Sequence, residues 1–291
     1  APFGPAPGDA VAALGAKEPM SGTPSHALEP SSTAPSAEPE LPVPDLPGPT
    51  ADPRSDGSVV LTVVLDNHAA DPRLETAWGF SCLVETAEGV VLFDTGGDGR
   101  MLLSNLAALG IDVAGIEAVV LSHIHDDHVG GLDALLGAND HLVVYLPHAF
   151  PPGFTSRVAD RAWVVEVAGP LEVFPGVRST GEMGTAILEQ ALMVDTPQGL
   201  VVLTGCAHPG VAQMVNLARE FGPVHLVMGG FHLGEASPAE VERVIGQFQE
   251  LGVEKVAPCH CTGEGAMAAF AEAYGSAQLQ AGAGTVVSIK G

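Results

Sequence analysis

A chain of 291 residues, 46% of them hydrophobic, has the length for one large domain or two small ones, which excludes a disulfide-stapled miniprotein. With 35 acidic against 11 basic residues the formal net charge is -24, a surface that repels phosphate backbones and argues against nucleic acid as the partner. No segment approaches the roughly 20 unbroken apolar residues of a membrane helix, and Cys82, Cys206, Cys259 and Cys261 read as reduced or metal-linked rather than as a disulfide framework.

Residues 1–57 hold thirteen of the 24 prolines, interleaved with Ala, Ser, Gly and Glu, a composition too poor in apolar surface to offset ordering entropy. They are expected to form a disordered tether. The chain starts at Ala1 rather than Met, so either it was trimmed or a targeting peptide was removed. Export, for instance to the periplasm, and a cytoplasmic location both stay open.

From Ser58 the pattern changes. SVVLTVVL (58–65) predicts a buried strand, and GFSCLVET (79–86) with GVVLFDTG (89–96) a hairpin. RMLLSNLAALG (100–110) has helical spacing and a glycine stop. EAVVLSH (117–123) predicts a strand running into a histidine-rich segment, followed by a helix start at VGGLDALLG and a strand at LVVYL (142–146). In the second half AWVVEV (162–167), AILEQALMVD (186–195), GLVVLTG (199–205), VHLVMGG (224–230), KVAPCH (255–260) and TVVSIKG (285–291) predict strands. GVAQMVNLAREFG (210–222) and GEGAMAAFAEAYG (263–275) predict helices, and so does Ser237 to Leu251, with Ser237 as N-cap and Pro238 in the first turn. Strands and helices in two comparable halves predict an α/β domain over 58–291, two sheets face to face with helices outside.

The informative run is Ser122-His123-Ile124-His125-Asp126-Asp127-His128-Val129-Gly130-Gly131. In a strand His123 and His125 point to one side and can reach one metal. Past a turn at Asp126, Asp127 and His128 can face a second. Imidazole with carboxylate suits zinc, iron or manganese.

This H-x-H-x-D-H pattern after an apolar strand resembles the metallo-β-lactamase superfamily. The resemblance implies a four-layer αββα sandwich and two divalent metal ions, zinc foremost. Phe93-Asp94-Thr95-Gly96 resembles the superfamily's strand-end motif, which implies that Asp94 orients the ligand loop. Cys206, in LTGCAHPG, stands where the superfamily often has a bridging aspartate. It is either a soft metal ligand or a small buried cysteine. His260, in PCHCTG, matches the final histidine ligand, and Cys259 and Cys261 beside it are expected to face the core. One departure is the lack of any histidine in residues 180–205. His208, reaching back, or Glu189 are the candidates to fill that role, with His208 favoured.

Within the superfamily the chain is similar to the 7,8-dihydropterin-6-methyl-4-(β-D-ribofuranosyl)-aminobenzene-5′-phosphate synthase branch. The pieces that carry this include Leu65-Asp66-Asn67, STGEM (179–183), EQAL (189–192), GLVVLTGCAHPG (199–210) and GGFHL (229–233). Asp126 and the short segment between STGEM and EQAL depart from that branch, so a pterin substrate does not follow from it. His232 is expected to line the pocket as a proton donor or substrate contact, or else to be a hydrogen-bonded loop residue. Asn67 either points at the site or caps its turn, His148 sits on the rim or in the surface, and His68 and His141 are surface residues. Thr180, Gly181 and Glu182 either position substrate or shape a loop. The expected activity is metal-assisted hydrolysis of an ester, phosphoester, lactone or amide in a small molecule, with Asp127 as proton acceptor. A pterin-methyl transferase and a non-enzymatic metal-binding sensor are the alternatives.

Overall fold

The computed structural model describes residues 57–290. The tether expected over 1–57 lies outside the described residues except for Gly57.

The first half runs β1 (Val59–Leu65), β2 (Ser81–Glu85), β3 (Val90–Phe93), α1 (Gly99–Ala108), β4 (Ala118–Val120), α2 (Asp126–Val129), α3 (Leu132–Ala138), β5 (Val143–Pro147), α4 (Pro152–Ala159) and β6 (Trp163–Val167). The second runs β7 (Leu171–Phe174), β8 (Val177–Ser179), β9 (Leu192–Val194), β10 (Leu200–Thr204), α5 (Val211–Ala218), β11 (Val224–Gly230), α6 (Pro238–Glu250), β12 (Lys255–Cys259), α7 (Glu264–Tyr274) and β13 (Val286–Ile289). A seven-stranded sheet has the order β13-β1-β2-β3-β4-β5-β6, and a six-stranded sheet the order β12-β11-β10-β9-β8-β7. In each sheet the strands that feed the site, β3-β4-β5 and β10-β11-β12, pair in parallel, so their C-terminal ends open at one edge.

The strands are apolar on both faces because both faces are covered. One set of alternate residues, including Val64, Leu83, Leu92, Val119 and Val144, packs under α1, α3 and α4 with Leu102, Leu106 and Leu135. The equivalent set in the second sheet, including Met193, Val202, Val227 and Val256, packs under α5, α6 and α7 around Phe231, Phe248 and Phe270. The intervening residues, such as Leu61, Val63, Phe93, Leu203 and Met228, are also fully buried and face the opposite sheet. The result is the αββα sandwich. Helix α6 starts with the expected cap: the Ser237 side chain accepts from the Glu240 amide and the Glu240 carboxylate accepts from the Ser237 amide.

Three expectations need correction. The strand expected over 117–123 ends at Val120, so His123 and His125 lie in the loop beyond it and share a side by loop geometry, not by strand alternation. The strand expected over 186–195 is cut to Leu192–Val194. Before it, the Gln190 amide donates to Ser122 O at 2.9 Å and its side chain to Leu121 O at 2.8 Å, so this segment ties the second sheet to the first instead of extending a ladder. Helix α4 and the hairpin β7–β8 were not anticipated; α4 is largely exposed and the two strands are only four and three residues long, so they carry little apolar periodicity. No helix among the described residues is long and apolar enough to cross a membrane.

Candidate metal centre

The first half supplies its donors through Asp94. This residue follows β3 with φ 56° and is fully buried. Its carboxylate accepts from the Ser122 amide at 2.6 Å, the Ser122 hydroxyl at 2.7 Å and His128 Nδ1 at 2.7 Å. The Ser122 hydroxyl proton is thereby committed, so His123 Nδ1, 2.9 Å from Ser122 Oγ, must be the donor in that contact. Both rings therefore present Nε2 to the centre. Gly205 completes the join: a Cβ there would lie 2.1 Å from Ser122 Oγ and 2.9 Å from Asp94 Oδ2, so only glycine lets the end of β10 come this close.

The second half supplies its donors from two strand ends, Cys206 and His208 after β10 and His260 after β12. Glu189, fully buried, accepts the amides of Cys206, Ala207 and His208 at 2.9, 2.8 and 2.8 Å and so folds the loop after β10 into a cup. After β12, Asp66 accepts the His260 amide at 3.0 Å. The Asn67 side chain donates to His260 O at 2.9 Å, which leaves its Oδ1 to accept from His260 Nδ1 at 2.9 Å. His260 Nε2 is then the free nitrogen. Among the described residues, the non-glycine residues with left-handed backbone are Asp94, Ala207, His232 and His260, and all four sit here. Such conformations cost about 1–3 kcal/mol each and persist where surrounding contacts over-determine them.

The free donor atoms gather into two groups that share Cys206. In one, His123 Nε2 and His125 Nδ1 lie 3.1 Å apart, and His208 Nε2 lies 3.2 Å from His125 Nδ1. In the other, Cys206 Sγ is 3.2 Å from His128 Nε2 and 3.3 Å from His260 Nε2, and Asp127 Oδ2 is 3.5 and 3.4 Å from the same two nitrogens. Cys206 also belongs with His123 and His208. Four ligands at about 2.0–2.3 Å in a tetrahedron lie roughly 3.3–3.6 Å apart. These separations and this mix of imidazole, carboxylate and thiol suit the binding of divalent cations.

The electrostatics agree with that donor set. Burial, reinforced by His128 and His208, holds His123 far below the usual imidazole value. Burial and then His232 lower His208 to about 4. Both rings are neutral near pH 7 and offer lone pairs. For His128 burial opposes the charge, but Asp94 and Asp127 outweigh it and raise the imidazole to about 10, so cation uptake there must displace a proton. Burial would raise Asp127, yet hydrogen bonds from His128 and His260 hold it well below the carboxylate range.

His123, His125, Asp127, His128, Cys206, His208 and His260 thus converge. Glu189 stands behind the loop; its nearest approach to a donor ring is 4.0 Å from His123 Nδ1. The structure brings His208, and not Glu189, beside His123, His125 and Cys206. The His232 ring lies 4.3 Å from that of His208 at the exposed lip. Asn67 reaches the site through His260. Cys259 faces the core, but Cys261, expected there too, turns towards the site, with Sγ 3.6 Å from Cys206 O. His148 pairs with Glu166 at the surface, and His141 with Asp140, while the His68 amide donates to Asp66. Glu182 accepts the Ala149 amide and Thr180 Oγ1 the Ala191 amide, so both act as loop residues. Sequence reasoning missed Ser122, although it lies in the motif, and the exposed Trp78, whose ring lies 5.1 Å from His260.

The family model described as the metallo-beta-lactamase superfamily matches residues 79–267. A 7,8-dihydropterin-6-methyl-4-(beta-D-ribofuranosyl)-aminobenzene-5'-phosphate synthase of Methanocaldococcus jannaschii is 27% identical over 250 residues, covering 67% of this chain and 84% of that protein. The human metallo-beta-lactamase domain-containing protein 1 is 31% identical over 167 residues, 52% of this chain and 58% of its own. The solved structure of Tm1679, a metal-dependent hydrolase of the beta-lactamase superfamily, superposes with a TM-score of 0.69 at 29% identity, over 80% of this chain and 100% of its own.

Proposed function

The chain belongs to the metallo-beta-lactamase superfamily, and from that premise we propose that it is a metal-dependent hydrolase of a small-molecule ester, phosphoester, lactone or amide. The observation that carries this reading is the convergence of two donor groups on one shared thiol, Cys206. His123, His125 and His208 would hold one cation and Asp127, His128 and His260 the other, with Cys206 beside both donor groups. Bound cations would supply Lewis acidity, making water a nucleophile near neutral pH and polarising the oxygen of the scissile group.

The remaining work falls to the chain itself. Asp94, Ser122 and Asn67 fix three rings so that the correct nitrogen faces inwards. Asp127, whose side chain is 21% exposed, is at the open edge and takes the proton of the attacking water. His232, outside both donor groups, stands at the lip to protonate the leaving group. The net charge of -24 favours small substrates over nucleic acid.

The likeness to the synthase of M. jannaschii supports a second reading, transfer of a pterin-methyl group. One experiment separates them. Metal content is measured on the purified chain, and turnover of phosphodiester, lactone, ester, amide and paired pterin substrates is followed in 18O-labelled water. A hydrolase places one labelled oxygen in its product, a transferase none. Bound metal with no turnover of any class would leave a binding protein.

A further inference from the structure

Cys206 belongs to a third group besides the two already described. Its Sγ, Cys261 Sγ and a His232 ring nitrogen all lie within 4.8 Å of one another. Both cysteines are free thiols. They come from different strand ends, after β10 and after β12, and the chain makes room for them. A Cβ on Gly230, at the end of the intervening β11, would lie 2.7 Å from Cys261 Sγ and 2.4 Å from Gly205 O. A side chain at position 230 would displace that thiol. Cys82 and Cys259, by contrast, are fully buried, Cys259 against the Asp66 carboxylate. Cys261 is half-buried, and the exposed His232 ring beside it marks the opening to solvent.

We propose that Cys206 and Cys261 form an oxidisable pair, joined as a disulfide by hydrogen peroxide or an organic hydroperoxide, and that the bond removes Cys206 from both donor groups. The Cys261 sulfur, beside the exposed His232, attacks one peroxide oxygen. The O–O bond breaks, Cys261 becomes a sulfenic acid and one water (or alcohol) leaves. Cys206 then attacks the Cys261 sulfur and its hydroxyl departs as a second water. Two S–H bonds and one O–O bond are broken, and one S–S bond and two O–H bonds are formed; both sulfurs are oxidised and both peroxide oxygens reduced. A thiol reductant reverses the bond. In the disulfide, Cys206 Sγ no longer has a lone pair of thiolate strength to offer, so oxidation and cation binding exclude each other. The formation of the bond does not depend on the hydrolase reading; its effect on metal content rests on that reading's ligand assignment.

The full chain is treated with hydrogen peroxide, metal-free or zinc-loaded, alkylated and digested with trypsin. The expected product is peptide 179–219 joined to peptide 256–290 through Cys206 and Cys261, with Cys259 still a thiol. Two of the four thiols per chain are lost and return with reductant. Zinc loading slows the link, and bound zinc falls as the link accumulates. In Cys206→Ser, where no second thiol resolves the sulfenic acid, peroxide carries Cys261 on to a form that reductant does not restore. No linked peptide at peroxide doses that oxidise the methionines, or a link through Cys259, would overturn the pair. A link that forms at the same rate with and without zinc would overturn the exclusion. Neither result depends on whether any substrate is turned over.

Discussion

Two buried carboxylates, one in each half, organise this site in different ways. Asp94 accepts mainly side chains, the Ser122 hydroxyl and the His128 ring, and so decides which nitrogen faces the centre. Glu189 accepts three backbone amides and so decides the path of the chain through Cys206, Ala207 and His208. Both are fully buried, beside donor rings, and outside the donor groups. A carboxylate at a metal site is therefore to be read by what points at it. In the first half the donors come in one run, and a single residue aims them. In the second they come from two separate strand ends, and the buried Glu189 must bend the backbone after β10 to bring Cys206 and His208 in.

The sharpest test of the first half is the double substitution of His123 and His125 by Ala, which abolishes metal uptake while circular dichroism stays that of the folded chain. Full occupancy by elemental analysis would break the assignment. Next comes Glu189→Ala. Three buried amides lose their acceptor at about 1–3 kcal/mol each, so denaturant unfolding shows a loss of roughly 3 kcal/mol or more even in metal-free protein. A loss confined to metal affinity would mean that Glu189 is a ligand after all. Asp94→Asn acts less on stability and lowers metal affinity by about 10–100-fold, measured by chelator competition. If the two variants proved interchangeable in both measurements, the contrast between aiming rings and bending backbone would fail.

The smallest effect is in pH. His128 is raised to about 10 from an ordinary 6.5 and His208 lowered to about 4. The stabilisation from His128 is complete below 6.5 and is lost as pH rises towards 10, because the folded chain keeps a proton that the unfolded chain releases. The penalty from His208 is absent above 6.5 and grows as pH falls towards 4, because the unfolded chain takes a proton that the folded chain refuses. The thermal midpoint of metal-free protein is therefore expected to fall on both sides of 6.5. Asp94→Asn flattens the alkaline limb, while His208→Gln removes only part of the acid limb, because burial holds His123 lower still. An alkaline limb unchanged by Asp94→Asn would remove that carboxylate as its cause.

Legibility followed the same division. Strands such as Val59–Leu65 and Val224–Gly230 were plain because burial on both faces makes them apolar throughout. The capped start of α6 was equally plain. The segment ahead of Leu192 read as strand from its apolar residues, but Gln190 spends its hydrogen bonds on Leu121 and Ser122 in the other sheet. The donors from His123 to His128 were visible because they are contiguous. Cys261 was misplaced because alternation was carried past the end of β12; at His260 the backbone turns left-handed, φ 49°, and the parity is lost. Glu189 was taken for a possible ligand because a sequence records a carboxylate but not the amides around it.

The left-handed corners at Asp94, Ala207, His232 and His260 bear on how this protein can evolve. Ala207 is the one with no side-chain chemistry to protect, and exchange for glycine would relieve about 1 kcal/mol of backbone strain. A laboratory selection for heat tolerance alone would be drawn to that position. It would also loosen the peptide that spaces Cys206 from His208, so robustness gained there would be traded against turnover. Lineages under pressure for both should leave this corner untouched and improve their outer helices instead.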